Sequence, residues 1–103
     1  MAIELTSKQK SLLRGLGQSL DAQASVGKAG LTAAVAQSIS ALLAAKELVK
    51  VHIPAGSGDD RKAMGQELAA ATGAVCVGVL GRTVLLYKPN PDLPPAKRIA
   101  IGG

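Results

Sequence analysis

The sequence predicts a mixed α/β fold: an α+β two-layer sandwich in the order α-β-α-β-α-β-β, built on a four-stranded mixed sheet. Three observations lead there. Apolar residues recur at helical spacing in three segments and at strand spacing in four. The first three strands are separated by helices, the arrangement that favours parallel strands joined by crossovers. The last two strand-like runs are joined only by Gly81-Arg82, which fits a two-residue hairpin and therefore an antiparallel pair.

The first helix opens at Thr6, with Gln9 three positions on, the spacing of a reciprocal capping box. Leu12, Leu13, Leu16 and Leu20 recur at three- and four-residue intervals, and Lys8, Lys10 and Arg14 fall on other faces. Gly15 and Gly17 weaken the last turns, so the helix is expected to end near Gly17. In "AQASVG", Ala22, Ala24 and Val26 alternate with Gln23 and Ser25, a strand of weak propensity. Thr32 caps a second helix to about Ala45, with Val35, Ile39, Leu42 and Leu43 as its apolar stripe.

"ELVKVHI" then places Val49, Val51 and Ile53 on one strand face and Leu48, Lys50 and His52 on the other. Ser57 or Asp59 caps a third helix that reaches Thr72 and closes at Gly73. The hairpin follows, with Gly81 at the position needing positive φ. If the strand order advances in one direction, both crossover helices share a face, and the first helix packs at an edge or on the remaining face. Residues 1–90 make the folded domain; residues 91–103 form a Pro-rich basic tail, expected to run over the surface or to stay mobile.

Composition narrows the function. Twelve Lys and Arg against seven Asp and Glu give a formal charge of +5 over 103 residues, which favours a polyanionic partner such as nucleic acid. Tyr87 is the single aromatic residue, so a stacking platform for bases is not available and backbone contact is the expected mode. One cysteine, Cys76, excludes an internal disulfide and a cysteine-based metal cluster. No secretory signal and no span of about 20 apolar residues is present, so a cytoplasmic monomer is expected, with no membrane partner, cofactor or small-molecule substrate.

The stretch "VGKAGLT" draws the eye because two glycines flank a lysine just before a helix. A nucleotide-hydrolysing P-loop fails on Ala22 and Ala29, which stand where it needs glycine and a hydroxyl. A dinucleotide fingerprint fails for want of the G-x-G turn and of a suitably placed acid. What remains is G-x-x-G between strand and helix, the device by which KH-type domains bring main chain close to a nucleic-acid backbone. Gly27, Lys28, Ala29 and Gly30 would admit a phosphate, and the helix start at Thr32 would direct free N–H groups toward it. Taken alone, the stretch reads better as an ordinary turn into a helix with a solvated lysine, since a bare G-x-x-G arises by chance in many chains.

Its context shifts that balance. The segments "LTSKQKSLLRGLGQSL", "VGKAGLT", "KELVKVHI" and "TGAVCVGVLGRTVLLYKP", in this order over residues 4–90, resemble the CRM domain, named for chloroplast RNA splicing and ribosome maturation, in its bacterial stand-alone YhbY form. The resemblance implies a fold similar to the C-terminal domain of translation initiation factor three, binding to structured RNA, and association with precursors of the large ribosomal subunit. It assigns Gly27 to Gly30 to the family's loop and Lys8, Lys10 and Arg14 to a basic face on the first helix. The family often carries Asn or a basic residue at Ala29, His at Gln18 and a basic residue at Asp21; each departure here removes a donor or a positive charge.

Arg82 at the hairpin tip and Lys88 after the last strand are further candidates for phosphate contact. Arg61 and Lys62, near the start of the third helix, are unfavourable to the helix dipole, which mildly hints at an external anion, although Asp59 and Asp60 offer an adequate local answer. His52 lacks catalytic partners, Cys76 reads as a small buried hydrophobe, and Lys97 and Arg98 could pin to RNA from the tail. No catalytic or metal-binding constellation is visible. The readings that compete with RNA binding are a protein-interaction adaptor using an exposed sheet face, and an RNA chaperone with no fixed target.

Overall fold

The computed structural model describes residues 5–27, 30–54, 56–94, 96 and 99. The elements follow the expected order: α1 (Ser7–Gln18), β1 (Ala24–Ser25), α2 (Ala33–Lys46), β2 (Leu48–His52), α3 (Gly58–Thr72), β3 (Val75–Leu80) and β4 (Thr83–Tyr87). The sheet order is β1-β2-β4-β3, with β1 parallel to β2 and β4 antiparallel to both β2 and β3. Both outer strands, β1 and β3, are sheet edges.

The helix starts are set by side chains that satisfy the free N–H groups of the first turn. Thr6 and Gln9 bond reciprocally at α1, and Ser57 and Asp60 do the same at α3, while Thr32 accepts from the Val35 N–H at 3.2 Å. At its other end α3 closes on Gly73 in the left-handed conformation, φ 72°. Gly81 turns the β3–β4 hairpin at φ 59°.

Alternation along β2 sorts the core into two clusters on opposite sheet faces. Val49, Val51 and Ile53 join Ile39, Leu43, Leu68, Val84 and Leu86 beneath α2 and α3. Leu48 joins Leu13, Val77, Leu85 and Tyr87 beneath α1. The crossover helices thus share one face, and α1 takes the remaining face, which adds a helical layer there. Leu13 is fully buried and anchors α1; burying it contributes about 1.5–3 kcal/mol.

Three expectations change. The buried stripe of α1 runs through Leu13 and Gly17, because Gly17 lies against Leu85; Leu12 and Leu16 are 46% and 43% exposed. Strand β1 is only two residues long, yet its pairing extends beyond them. Gln23 N–H donates to the Lys50 carbonyl and Val26 N–H to that of His52, both at 2.9 Å, and the Gln23 side chain accepts from Lys50 N–H at 3.3 Å. Cys76 is half-buried rather than buried.

The chain beyond β4 returns to the domain through Glu47. This fully buried residue caps α2 at φ 62°, and its two carboxylate oxygens accept from Asn90 N–H at 2.6 Å and Ile99 N–H at 2.7 Å. Ile99 packs against the cluster beneath α1. The expected surface course of the tail therefore includes at least one defined attachment.

Candidate nucleic-acid interface

The glycine loop lies where β1 gives way to α2. Gly30, at φ 69°, donates its N–H to the Gly27 carbonyl at 3.0 Å, so a side chain there would strain the backbone. A Cβ at Gly27 would meet nothing within 4 Å, which leaves the loop's entrance open. Lys28 and Ala29 lie outside the described residues. Thr32 spends its hydroxyl on its own helix, accepting from Val35, while the Ala36 N–H returns to the Thr32 carbonyl. The N–H groups of Ala33 and Ala34 remain at the positive end of α2, whose first turn carries no acidic residue.

Helix α3 makes an instructive contrast. Asp59 and Asp60 occupy its first turn, and the backbone N–H and hydroxyl of Ser57 hold the Asp60 carboxyl below the usual carboxylate range. Its N-terminus is already neutralised from within the chain. That of α2 is not.

The cations separate into those that hold the fold and those that face outward. Lys50 donates to the Gly17 and Leu20 carbonyls, both at 3.1 Å, and so completes the C-terminal end of α1 from a neighbouring strand. Arg61 donates to the carbonyls of Ile53 and Gly56, at 2.8 and 3.0 Å. Lys88 donates to the Thr72 carbonyl at 3.0 Å, at the C-terminus of α3 and at the sheet end opposite the glycine loop. As a contact in one continuous track with the loop, Lys88 is therefore displaced by the fold, and its ammonium is engaged.

Arg82 sits at the loop's end of the sheet. Its carbonyl accepts from Ile53 N–H at 2.8 Å, and two strand spacings, roughly 10 Å, separate its strand from β1. Lys10 and Arg14, four apart on α1, face the β3 edge, where Lys62 and Gln66 of α3 approach from the other side of the sheet. Lys8 is turned to the outer surface of α1 beside Leu12 and Leu16. The structure thus places Gly27, Gly30, the start of α2 and Arg82 at one end of the sheet, and Lys10 with Arg14 at the β3 edge.

Residues 5–88 match the family model described as the CRS1 / YhbY (CRM) domain. The chain belongs to the CRM domain family. This CRM domain is 33% identical over 87 residues to "Probable RNA-binding protein PA4753" of Pseudomonas aeruginosa, covering 84% of each chain. It is 31% identical over 88 residues to "Probable RNA-binding protein YqeI" of Bacillus subtilis, covering 85% of this chain and 92% of that one. Among solved structures, the hypothetical protein SAV1595 from Staphylococcus aureus has the same fold, with a TM-score of 0.78 at 32% identity over 86% of this chain and 93% of that one.

Among the described residues, no three His, Cys, Asp or Glu side chains gather as a metal site, and no helix is long and apolar enough to cross a membrane. Both sheet faces are covered by helices, so the face an adaptor would have used is occupied. The sequence names Lys10, Arg14 and the loop as candidates, but not their placement at two separate edges of the sheet. The spacing of Lys10 and Arg14 carried part of that signal; the approach of Lys62 to them depends on the sheet order.

Proposed function

We propose that this CRM domain binds structured RNA by its phosphate backbone, using the Gly27–Gly30 loop, the start of α2 and the outward-facing cations. The observation that carries the reading is the asymmetry between the two crossover helices. The α3 N-terminus is filled by its own aspartates, whereas the α2 N-terminus lies behind a glycine loop and keeps two main-chain donors and an uncompensated dipole. Relatives named as RNA-binding proteins support the choice of polyanion. The RNA we propose is that of the large ribosomal subunit precursor, the association that the family resemblance implies. The protein would act by binding, without chemistry, as a cytoplasmic monomer.

Contact with phosphates is largely blind to sequence, so specificity would come from RNA shape. With about four to six phosphates neutralised, log affinity should fall against log salt with a slope of about −0.7 to −0.9 per contact. The test is binding of the domain to a structured ribosomal RNA fragment across a salt series, with Lys28→Glu as the comparison. A steep slope in the parent and weakened binding in the variant, with an unchanged circular dichroism spectrum, support the reading. A flat salt response rejects it.

A further inference from the structure

We propose that the β3 edge of the sheet carries a second phosphate-binding site, a groove of about 530 Å³ that takes a run of RNA backbone distinct from the one at the glycine loop. The inference rests on RNA being the partner and extends it to a place that the loop does not reach. Helix α1 covers one sheet face and α3 the other, and at the β3 edge they leave a cleft between them. Lys10 and Arg14 line it from α1, Lys62 and Gln66 from α3, with Cys76 and Gly78 on its floor.

Three features make the cleft a built one. Gly78 gives Arg14 its berth: a Cβ at that position would lie 3.1 Å from Arg14 Nε and 3.3 Å from a terminal guanidinium nitrogen, so any side chain there crowds the guanidinium resting across the strand. The second feature is the division of labour between Arg61 and Lys62. Arg61 is committed to two carbonyls, while the charged side-chain groups of Lys10, Arg14 and Lys62 have no hydrogen-bond or ion-pair partner among the described residues. Both lysines nevertheless lie close enough to Cys76 for their charges to favour its thiolate, against a larger opposing effect of burial. Three unpaired cations converging from two elements repel one another, and a bridging anion removes that repulsion.

The third feature decides which anion fits. An edge strand flanked by cations also invites the addition of a strand of acidic peptide, but the β3–β4 register shifts between Cys76 and Gly78, directly on the groove floor. A bulge there interrupts the regular ladder that strand addition needs. A phosphodiester chain, held by side chains from both walls, requires no such ladder. The groove and the glycine loop lie at opposite edges of the sheet, separated by three strand spacings, or roughly 14 Å.

The test uses the full chain and a structured ribosomal RNA fragment, with affinity measured across a salt series. Variants are Lys62→Gln, at an exposed position outside the loop, Gly78→Val, which displaces Arg14, and Lys28→Gln as the loop comparison. Lys62→Gln is expected to lower the slope of log affinity against log salt by about 0.7–0.9, the loss of one phosphate contact, and to weaken all RNA sequences alike. If Lys28→Gln lowers the slope while Lys62→Gln and a folded Gly78→Val leave it unchanged, the groove assignment is overturned and the loop reading stands. If the parent fails to bind with a salt-dependent affinity, the RNA reading falls and takes the groove with it. If poly-glutamate shifts the Cys76, Val77 and Gly78 amide resonances and the RNA does not, the groove belongs to an acidic peptide and the proposal is overturned.

Discussion

Glu47 shows how much one side chain can organise when its backbone is held in an unfavourable conformation. A positive φ costs an L-residue roughly 1–2 kcal/mol, and here the carboxylate offsets that by accepting two main-chain hydrogen bonds from the returning tail. Glu47→Ala is expected to lower stability by about 2–3 kcal/mol in urea denaturation, since two main-chain donors lose their acceptor. Glu47→Gly should recover about 1 kcal/mol of that loss by relieving the backbone; equal loss in both variants would remove strain from the account. Asp60 makes a pH-dependent contribution. Its folded pKa lies below the unfolded value of about 3.9, so its stabilisation is full well above that value and is lost as pH falls through the folded one. Thermal melts of the parent and Asp60→Asn should therefore differ by a constant amount near neutral pH and converge in acid. A gap that persists at low pH would assign the effect to something other than the carboxylate's charge.

At the level of elements, two of the helical glycines, Gly15 and Gly65, should respond in opposite directions. A Cβ at Gly65 would sit 2.8 Å from Cys76 Sγ and 3.2 Å from Val84 Cγ1, whereas one at Gly15 would meet nothing within 4 Å. Gly15→Ala is expected to raise stability by about 0.5–1 kcal/mol through helix propensity. Gly65→Ala is expected to lower it by about 1–3 kcal/mol through overpacking at the α3–sheet contact. Chemical denaturation of the two variants checks both signs. The same contrast explains what the sequence made legible. Caps at Thr6, Thr32 and Ser57, the Gly73 stop, the Gly81 turn and the alternation of β2 are local devices, so each could be read from a few neighbouring residues. Gly17 was harder: α1 faces the sheet through a small residue that admits Leu85, and the leucine spacing, which includes the buried Leu13, also takes in the exposed Leu12 and Leu16. Gln23 also escaped notice, because its role is to replace a strand hydrogen bond on β2.

Across the whole molecule, the distribution of charge is set by topology more than by composition. A net charge of +5 treats all cations alike, but Lys50, Arg61 and Lys88 are bound to carbonyls, two of them completing helix C-termini, while Lys10, Arg14 and Lys62 are left facing one edge. The placement of β4 between β2 and β3 makes β3 an edge and opens the groove between α1 and α3. No local pattern states this, which is why the loop could be proposed from the sequence and the groove only from the fold. The most direct test of the central claim is amide chemical-shift mapping of the labelled chain during titration with a structured ribosomal RNA fragment. Shifts are expected at Gly27, Gly30, Ala33 and Ala34, diminishing as salt is raised. Large shifts confined to other surfaces, with these four amides unmoved at saturation, would contradict that claim.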